Sequence, residues 1–273
     1  MRAGLPGIAH MRHTHLPENL FVPGQGEHGA DLADDLTRIV NLYGAENIAA
    51  CFVEPIAGSA GCLVPPKGYL KRLREICDAH GILLVFDEVI TGWGRTGQAF
   101  AAQSFDVTPD MITMAKAVTN GAQPMGVVAV SERIHDTIMA AAPEGAIEFF
   151  HGYTYSGHPA ACAAGLATLD IYRRDNLFER GRALSPYFLD ALFSLRDLPV
   201  VTDIRGYGML GALDVAVDGA PGKRGHLLQK KLFDNGLHLK TTGDAAIVAP
   251  PLIAEKSHVD RIVEVLRKTL AAL

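Results

Sequence analysis

The sequence predicts an α/β protein, a mostly parallel sheet domain followed by a smaller α+β domain. Three observations carry this. Ile82-Leu83-Leu84-Val85-Phe86 is a fully apolar run bounded by Gly81 and Asp87-Glu88, and a strand buried on both faces belongs to a parallel sheet. Helical and strand periods alternate from residue 31 onward, the pattern of βαβ units. Past residue 195 the character changes to short strands broken by Gly206, Gly208 and Gly211. The boundary is drawn between 1–165 and 166–273, where the α/β alternation gives way.

The opening thirty residues are rich in His, Pro and Gly and show no period. A compact domain rarely begins with so long an irregular stretch unless it packs on another element. Residues 31–42 then place Leu32, Leu36, Ile39 and Val40 on one helical face. Residues 48–53 read as a buried strand ending at Glu54-Pro55. Pro66 is placed as a first helical residue, with a helix over 69–80 and Gly81 as its stop. Residues 111–114 and 126–130 are further strands, and Ser131 is placed as the cap of a helix running to about residue 141. An alanine-rich helix covers 159–172 and a second runs from Asp175 to about residue 195. Strands over 200–217, a helix over 224–235, strands at 237–240 and 246–248 and an amphipathic helix over 255–270 complete the chain.

Composition narrows the function. The 273 residues are 48% hydrophobic and 20% charged, which is ordinary for a globular chain. A net charge of −5 gives no basic field for nucleic acid or an anionic membrane. No apolar run approaches the ~18 residues that a membrane span needs. Cys51, Cys62, Cys77 and Cys162 lack C-x-x-C spacing. They read as reduced cysteines of a cytoplasmic protein rather than zinc ligands. His10, His13 and His15 have no Cys or acid at ligand spacing nearby, so the default is an irregular surface segment and no metal.

Gly92-Trp93-Gly94-Arg95-Thr96-Gly97 fits the dinucleotide pattern G-x-G-x-x-G. It fails its context. Five residues separate it from the strand, and the next strand ends at Ala115-Lys116 rather than at an acid. The strand ends themselves are more informative. Asp87 ends one strand and Lys116 follows another, and ligands of open parallel sheets bind at carboxyl ends. A surface ion pair is the plain alternative. The chemistry of pyridoxal 5′-phosphate (PLP) asks for this combination: a lysine amine for the aldehyde, and a carboxylate for the ring nitrogen. Val89 shares the direction of Asp87 if the chain stays extended.

Four blocks then carry a resemblance. They are Glu54-Pro55-Ile56-Ala57-Gly58-Ser59-Ala60-Gly61; Asp87-Glu88-Val89-Ile90-Thr91-Gly92-Trp93-Gly94-Arg95-Thr96-Gly97; Pro109-Asp110-Met111-Ile112-Thr113-Met114-Ala115-Lys116; and His151-Gly152-Tyr153-Thr154-Tyr155-Ser156-Gly157-His158-Pro159. In this order and spacing they resemble the class III PLP-dependent aminotransferases, most closely the β-alanine (omega-amino acid)–pyruvate type. The resemblance implies a fold-type I PLP transferase, with an incomplete large domain over 1–165 and a small C-terminal domain over 166–273. It implies transamination between an amine or omega-amino acid and pyruvate or another keto acid, in a homodimer or higher oligomer. Lys116 is then the Schiff-base lysine and proton shuttle, and Asp87 the partner of the ring nitrogen. Val89 packs on the ring, and Glu54 sits near the cofactor. Thr154, with Tyr153 beside it, serves the phosphate of the partner subunit's cofactor. Arg95 supports the glycine-rich loop.

Departures from the pattern matter as well. Trp93 stands where the family usually has Phe. Lys240 stands where an arginine usually clamps the substrate carboxylate, and a lysine loses the bidentate fork. Family members also have a long stretch before the equivalent of Gly7, which carries a phosphate-binding turn. The chain therefore reads as N-terminally truncated. This leaves open a catalytically impaired fragment, a split-gene half completed by a separate N-terminal polypeptide, and another class III reaction such as an aminomutase.

Overall fold

A computed structural model describes residues 5–145 and 152–273. Its first sheet holds β1 (Ala50–Val53), β2 (Leu83–Asp87), β3 (Met111–Met114) and β4 (Val127–Val130), in that spatial order. β1, β2 and β3 run parallel, and β4 is antiparallel to β3. Parallel neighbours need a long crossover, usually helical. The β3–β4 link carries only a 3₁₀ turn at Lys116–Val118, so the strand reverses instead.

Helices α1 (Asp34–Tyr43) and α2 (Tyr69–His80) cover one face of this sheet. Leu36, Val40, Leu73, Cys77, Leu84 and Phe86 share the resulting core. Gly81 ends α2 in the left-handed region at φ 67°, as its sequence position predicts. Pro66 is not the first helical residue. α2 starts at Tyr69, because Gly68 before it takes φ 81° and breaks the run. The short α3 (Ala101–Ser104) lies between β2 and β3. α4 (Glu132–Ala140) follows Ser131, which holds the cap position without a side-chain bond. The Ser131 carbonyl accepts the Ile134 N–H at 3.0 Å instead, and its buried Oγ has no partner among the described residues.

α5 (Pro159–Arg174) passes residue 165 and leads to the second unit. Asp175 caps the end of α5 and does not begin the next helix. Asn176, at φ 47°, redirects the chain into α6 (Leu177–Phe193). The second sheet is antiparallel throughout, in the order β5 (Val201–Tyr207), β6 (Leu210–Val215), β8 (Ala245–Val248) and β7 (Lys240–Thr242). α6, α7 (Lys223–Asp234) and α8 (Lys256–Ala271) share its core through Leu192, Leu213, Leu228, Leu232, Val259 and Leu266. The strand expected at 237–240 is displaced to Lys240–Thr242. Its register is set by the tight Gly243-Asp244 turn, which pairs Thr242 with Ala245.

The irregular opening segment is clasped by the chain itself. Arg12 donates from its backbone N–H, Nε and Nη2 to Asp35 at 2.7–3.1 Å. Farther on, Phe21 N–H donates to Asp203 on β5 at 2.7 Å, and Gly24 N–H to the Gly206 carbonyl at 3.0 Å. The segment thus bridges α1 and the second sheet. The cysteines are free, and Cys51, Cys62 and Cys77 are buried. Among the described residues, no helix is long and apolar enough to cross a membrane.

Candidate active site

Glu54, Asp87 and Lys116 lie at the carboxyl ends of β1, β2 and β3. Register places them together: Val53 pairs with Phe86, so Glu54 and Asp87 are level, and Asp87 pairs with Thr113, three residues before Lys116. The half-buried Glu54 carboxyl is pushed above its usual range, first by burial and also by the Asp87 charge. Its bond from Gly58 N–H (3.1 Å) and the nearby Lys116 charge pull the other way. Glu54 is therefore within electrostatic reach of both Asp87 and Lys116.

Adjacent acids divide their work. Glu88 is fully buried. It accepts Ala101 N–H at 2.6 Å, Ala102 N–H at 2.9 Å and the Thr91 hydroxyl at 3.1 Å, and so caps the start of α3. Burial pushes its carboxyl above the usual range. Asp87 makes one local bond, from Val89 N–H at 3.0 Å. The chain does not stay extended past Asp87; Val89 and Ile90 form a turn. Val89 is half-buried there.

Lys116 is exposed and takes φ 48°. A non-glycine residue in the left-handed region carries a steric cost of about 1–2 kcal/mol, and such residues cluster at functional sites. The turn is clamped from α5. Tyr172 donates from its hydroxyl to the Ala117 carbonyl at 2.7 Å and accepts from Asn120 Nδ2 at 3.1 Å. Trp93 stacks on Tyr172 with ring centroids 6.2 Å apart. The Trp for Phe departure is therefore packing. Tyr172 escaped the sequence reading, and its one signal was a large aromatic within an alanine-rich helix.

Other expected positions are less tightly joined. Tyr153 and Thr154 lie exposed in the loop before α5, where Tyr153 N–H donates to Ser156 Oγ at 2.9 Å. His151 lies outside the described residues. Lys240 is exposed at the start of edge strand β7 and pairs with Ile247. No described contact joins Lys240 to Glu54, Asp87 or Lys116. Arg95 donates to the Pro250 carbonyl, and its own carbonyl accepts Met209 N–H at 2.8 Å, so it braces the glycine-rich loop against the second unit. His15 does approach acids distant in sequence, Asp203 and Asp214 at 3.9 Å each. The Arg205 guanidinium already occupies both carboxylates. A cavity of about 900 Å³ runs along the outer edge of β1 and reaches Glu54, but Asp87 and Lys116 do not line it.

The sequence matches the family Aminotransferase class-III over residues 3–270. The chain belongs to the class-III aminotransferases. An omega-aminotransferase of Caulobacter vibrioides is 55% identical over 268 residues, which cover 97% of this chain and 61% of that protein. A beta-alanine–pyruvate aminotransferase of Pseudomonas aeruginosa is 48% identical, over 97% of this chain and 60% of that protein. Among solved structures, an omega transaminase from Pseudomonas jessenii in complex with PMP superposes with a TM-score of 0.88 at 32% identity. That match covers 99% of this chain and 61% of that one. This class-III chain therefore spans about three fifths of the length of these relatives. The fold is that of the fold-type I transaminases, with a mixed sheet and a separate antiparallel sheet in this chain.

Proposed function

We propose that this chain carries the lysine and ring-nitrogen half of a PLP aminotransferase site, for transamination between an amine or omega-amino acid such as β-alanine and pyruvate or another keto acid. The carrying observation is the juxtaposition of Asp87 and Lys116 at neighbouring strand ends, with Lys116 held in a strained backbone. A carboxylate and a primary amine are the donor set that a pyridinium nitrogen and an aldehyde require. When bound, PLP supplies an electron-withdrawing ring. Asp87 would keep the ring nitrogen protonated. Lys116 would hold the aldehyde carbon and move the proton that transamination relocates. Val89, in the turn beside Asp87, would cover the ring, and Glu54 would border it.

The remaining assignments belong to the same reading. Lys240 would meet the substrate carboxylate as a single charge. Thr154 and Tyr153, exposed ahead of α5, would serve the cofactor phosphate of a partner subunit in a homodimer. The large domain would be 1–165 and the small domain 166–273. The free, buried cysteines suit a reducing cytoplasm. The relatives carry their extra length within one chain, so the reading invokes no separate N-terminal polypeptide.

The test is the absorbance of the purified chain mixed with PLP, with and without borohydride, beside Lys116→Ala. The expected result is a band that borohydride fixes onto the Lys116 peptide. No band, or an equal band in Lys116→Ala, overturns the assignment.

A further inference from the structure

Arg205 on β5 is buried, and it donates in three directions. Its Nη1 reaches Asp203 Oδ2 at 2.6 Å and Asp214 Oδ2 at 2.9 Å, its Nη2 reaches Asp214 Oδ1 at 2.8 Å, and its Nε reaches the Gly61 carbonyl at 2.7 Å. The first two contacts stay within the second sheet. The third leaves it and seizes the loop that follows β1. Gly61 is suited to this approach. It takes φ 109°, and a Cβ there would meet Arg205 Nη2 at 2.8 Å and Ala245 Cβ at 3.1 Å. His15 faces the same cluster, with Nε2 3.9 Å from both carboxylates, and burial, with Arg205, holds its pKa down.

The loop is closed by its own backbone bonds. Ala57 and Leu63 exchange two backbone bonds of 3.0 Å, and the Gly61 and Cys62 N–H groups both reach the Gly58 carbonyl at 3.1 Å. At its root, Gly58 N–H donates to Glu54 Oε2 at 3.1 Å. Ile56 and Cys62 of this loop form a small apolar core with Leu210 and Ala212 of β6, and Ile90 packs against it. Ile90 belongs to the turn that follows Asp87. A continuous set of bonds and packed groups therefore runs from β5 and β6 to the strand ends of the first sheet.

We propose that Arg205 is a positioning residue that grips the 57–63 loop from the second unit and thereby fixes the Glu54 carboxylate against Asp87 and Lys116. The proposal rests on the reading of Asp87 and Lys116 as cofactor residues. Its content beyond that reading is mechanical. Seating of the second unit sets the stance of Glu54, and Glu54 in turn sets the charge balance around the lysine amine. A lysine at 205 keeps the positive charge and loses the fork that holds two carboxylates and a carbonyl at once.

The test has a cofactor-free arm and a cofactor arm. In amide hydrogen exchange of the chain without PLP, Arg205→Lys should speed exchange over 57–63 about tenfold while α2 and β2 keep their protection. Asp214→Asn, which weakens the two bonds that orient the guanidinium toward Gly61, should produce a smaller change in the same direction. It also decides the matter if Arg205→Lys does not fold. Unchanged exchange over 57–63 in the folded variants overturns the proposal. In the second arm, the pH of half-maximal PLP capture by Lys116 is compared for wild type, Arg205→Lys, Glu54→Gln and the double variant. A shift in Arg205→Lys that vanishes in the Glu54→Gln background supports action through Glu54. A shift that persists there refutes it. Failure of wild type to capture PLP sinks the cofactor reading, while the exchange arm still decides whether Arg205 controls the loop.

Discussion

Asp87 and Glu88 are neighbours of like charge, and the structure predicts that their amides fail in opposite ways. Glu88→Gln leaves one carbonyl oxygen where the carboxylate serves three donors, and it turns an NH₂ toward the others. A stranded buried donor costs about 1–3 kcal/mol. Relief from burying a charge offsets part of this, so a net loss of about 2 kcal/mol is expected. Asp87→Asn keeps the Oδ1 that accepts Val89 N–H, and should cost under about 0.5 kcal/mol. Trp93, the single tryptophan, lies in the segment that Glu88 anchors. Its fluorescence in urea is therefore the assay. With a slope of about 3 kcal/mol per M, the Glu88→Gln midpoint falls by about 0.7 M and the Asp87→Asn midpoint by less than about 0.2 M. PLP capture should be lost in Asp87→Asn and weakened only through misplacement in Glu88→Gln. Equal destabilisation by the two variants, or an unmoved midpoint in Glu88→Gln, refutes the division of roles.

Two further predictions concern the clasp and the lysine turn. Hydrogen bonds from Arg12 hold the Asp35 carboxyl at about 2. Its folded value is thus depressed, so its stabilisation is present above the unfolded value of about 3.9 and is lost as pH falls from there through about 2. Proteolysis of the opening segment should rise over that acid window, and Asp35→Asn should show the rise already at neutral pH. Tyr172→Phe removes the hydroxyl that clamps Ala117 and Asn120. It should cost about 1 kcal/mol of stability and weaken PLP capture by Lys116 about tenfold. Urea unfolding and cofactor titration check the two effects, and intact capture would show that the turn holds without its clamp.

What was legible in the sequence follows from how far the deciding contacts lie. The run before Asp87 and the strand at Met111–Met114 are set by local apolar pattern, and both are found where the pattern puts them. Gly81 declares its turn by lacking a Cβ. Local signals compete elsewhere. Pro66 was a sound first-turn residue, yet Gly68 two positions later decided the helix start. β7 moved because pairing with β8 across Gly243 sets register, and pairing is not local. At the site, Lys116 and Asp87 were recognisable as charges at strand ends. Which of two adjacent acids turns inward was not, because the acceptor needs of Ala101 and Ala102 lie 13 and 14 residues away. Tyr172 and Arg205 act on partners 55 and 144 residues distant. No spacing rule reaches them.

These long-range residues share a logic. A parallel ladder fixes the chain only up to the last paired residue, and the candidate site residues begin where it stops. Each strand end is therefore followed by a segment with one polar clamp: Glu88 behind Asp87, Tyr172 behind Lys116 and, in the present proposal, Arg205 behind Glu54. The clamps bind chiefly backbone groups of the segments they hold, so they define position without supplying chemistry. Catalytic geometry tolerates errors of about 0.5 Å, less than an unclamped loop tip keeps. A charge-preserving change at a clamp should accordingly disturb the site through displacement, whereas the same change at Lys116 or Asp87 would alter a group that the proposed function places against the cofactor. Clamp and site variants should therefore separate experimentally, the first moving exchange rates in the cofactor-free chain and the second leaving them unchanged.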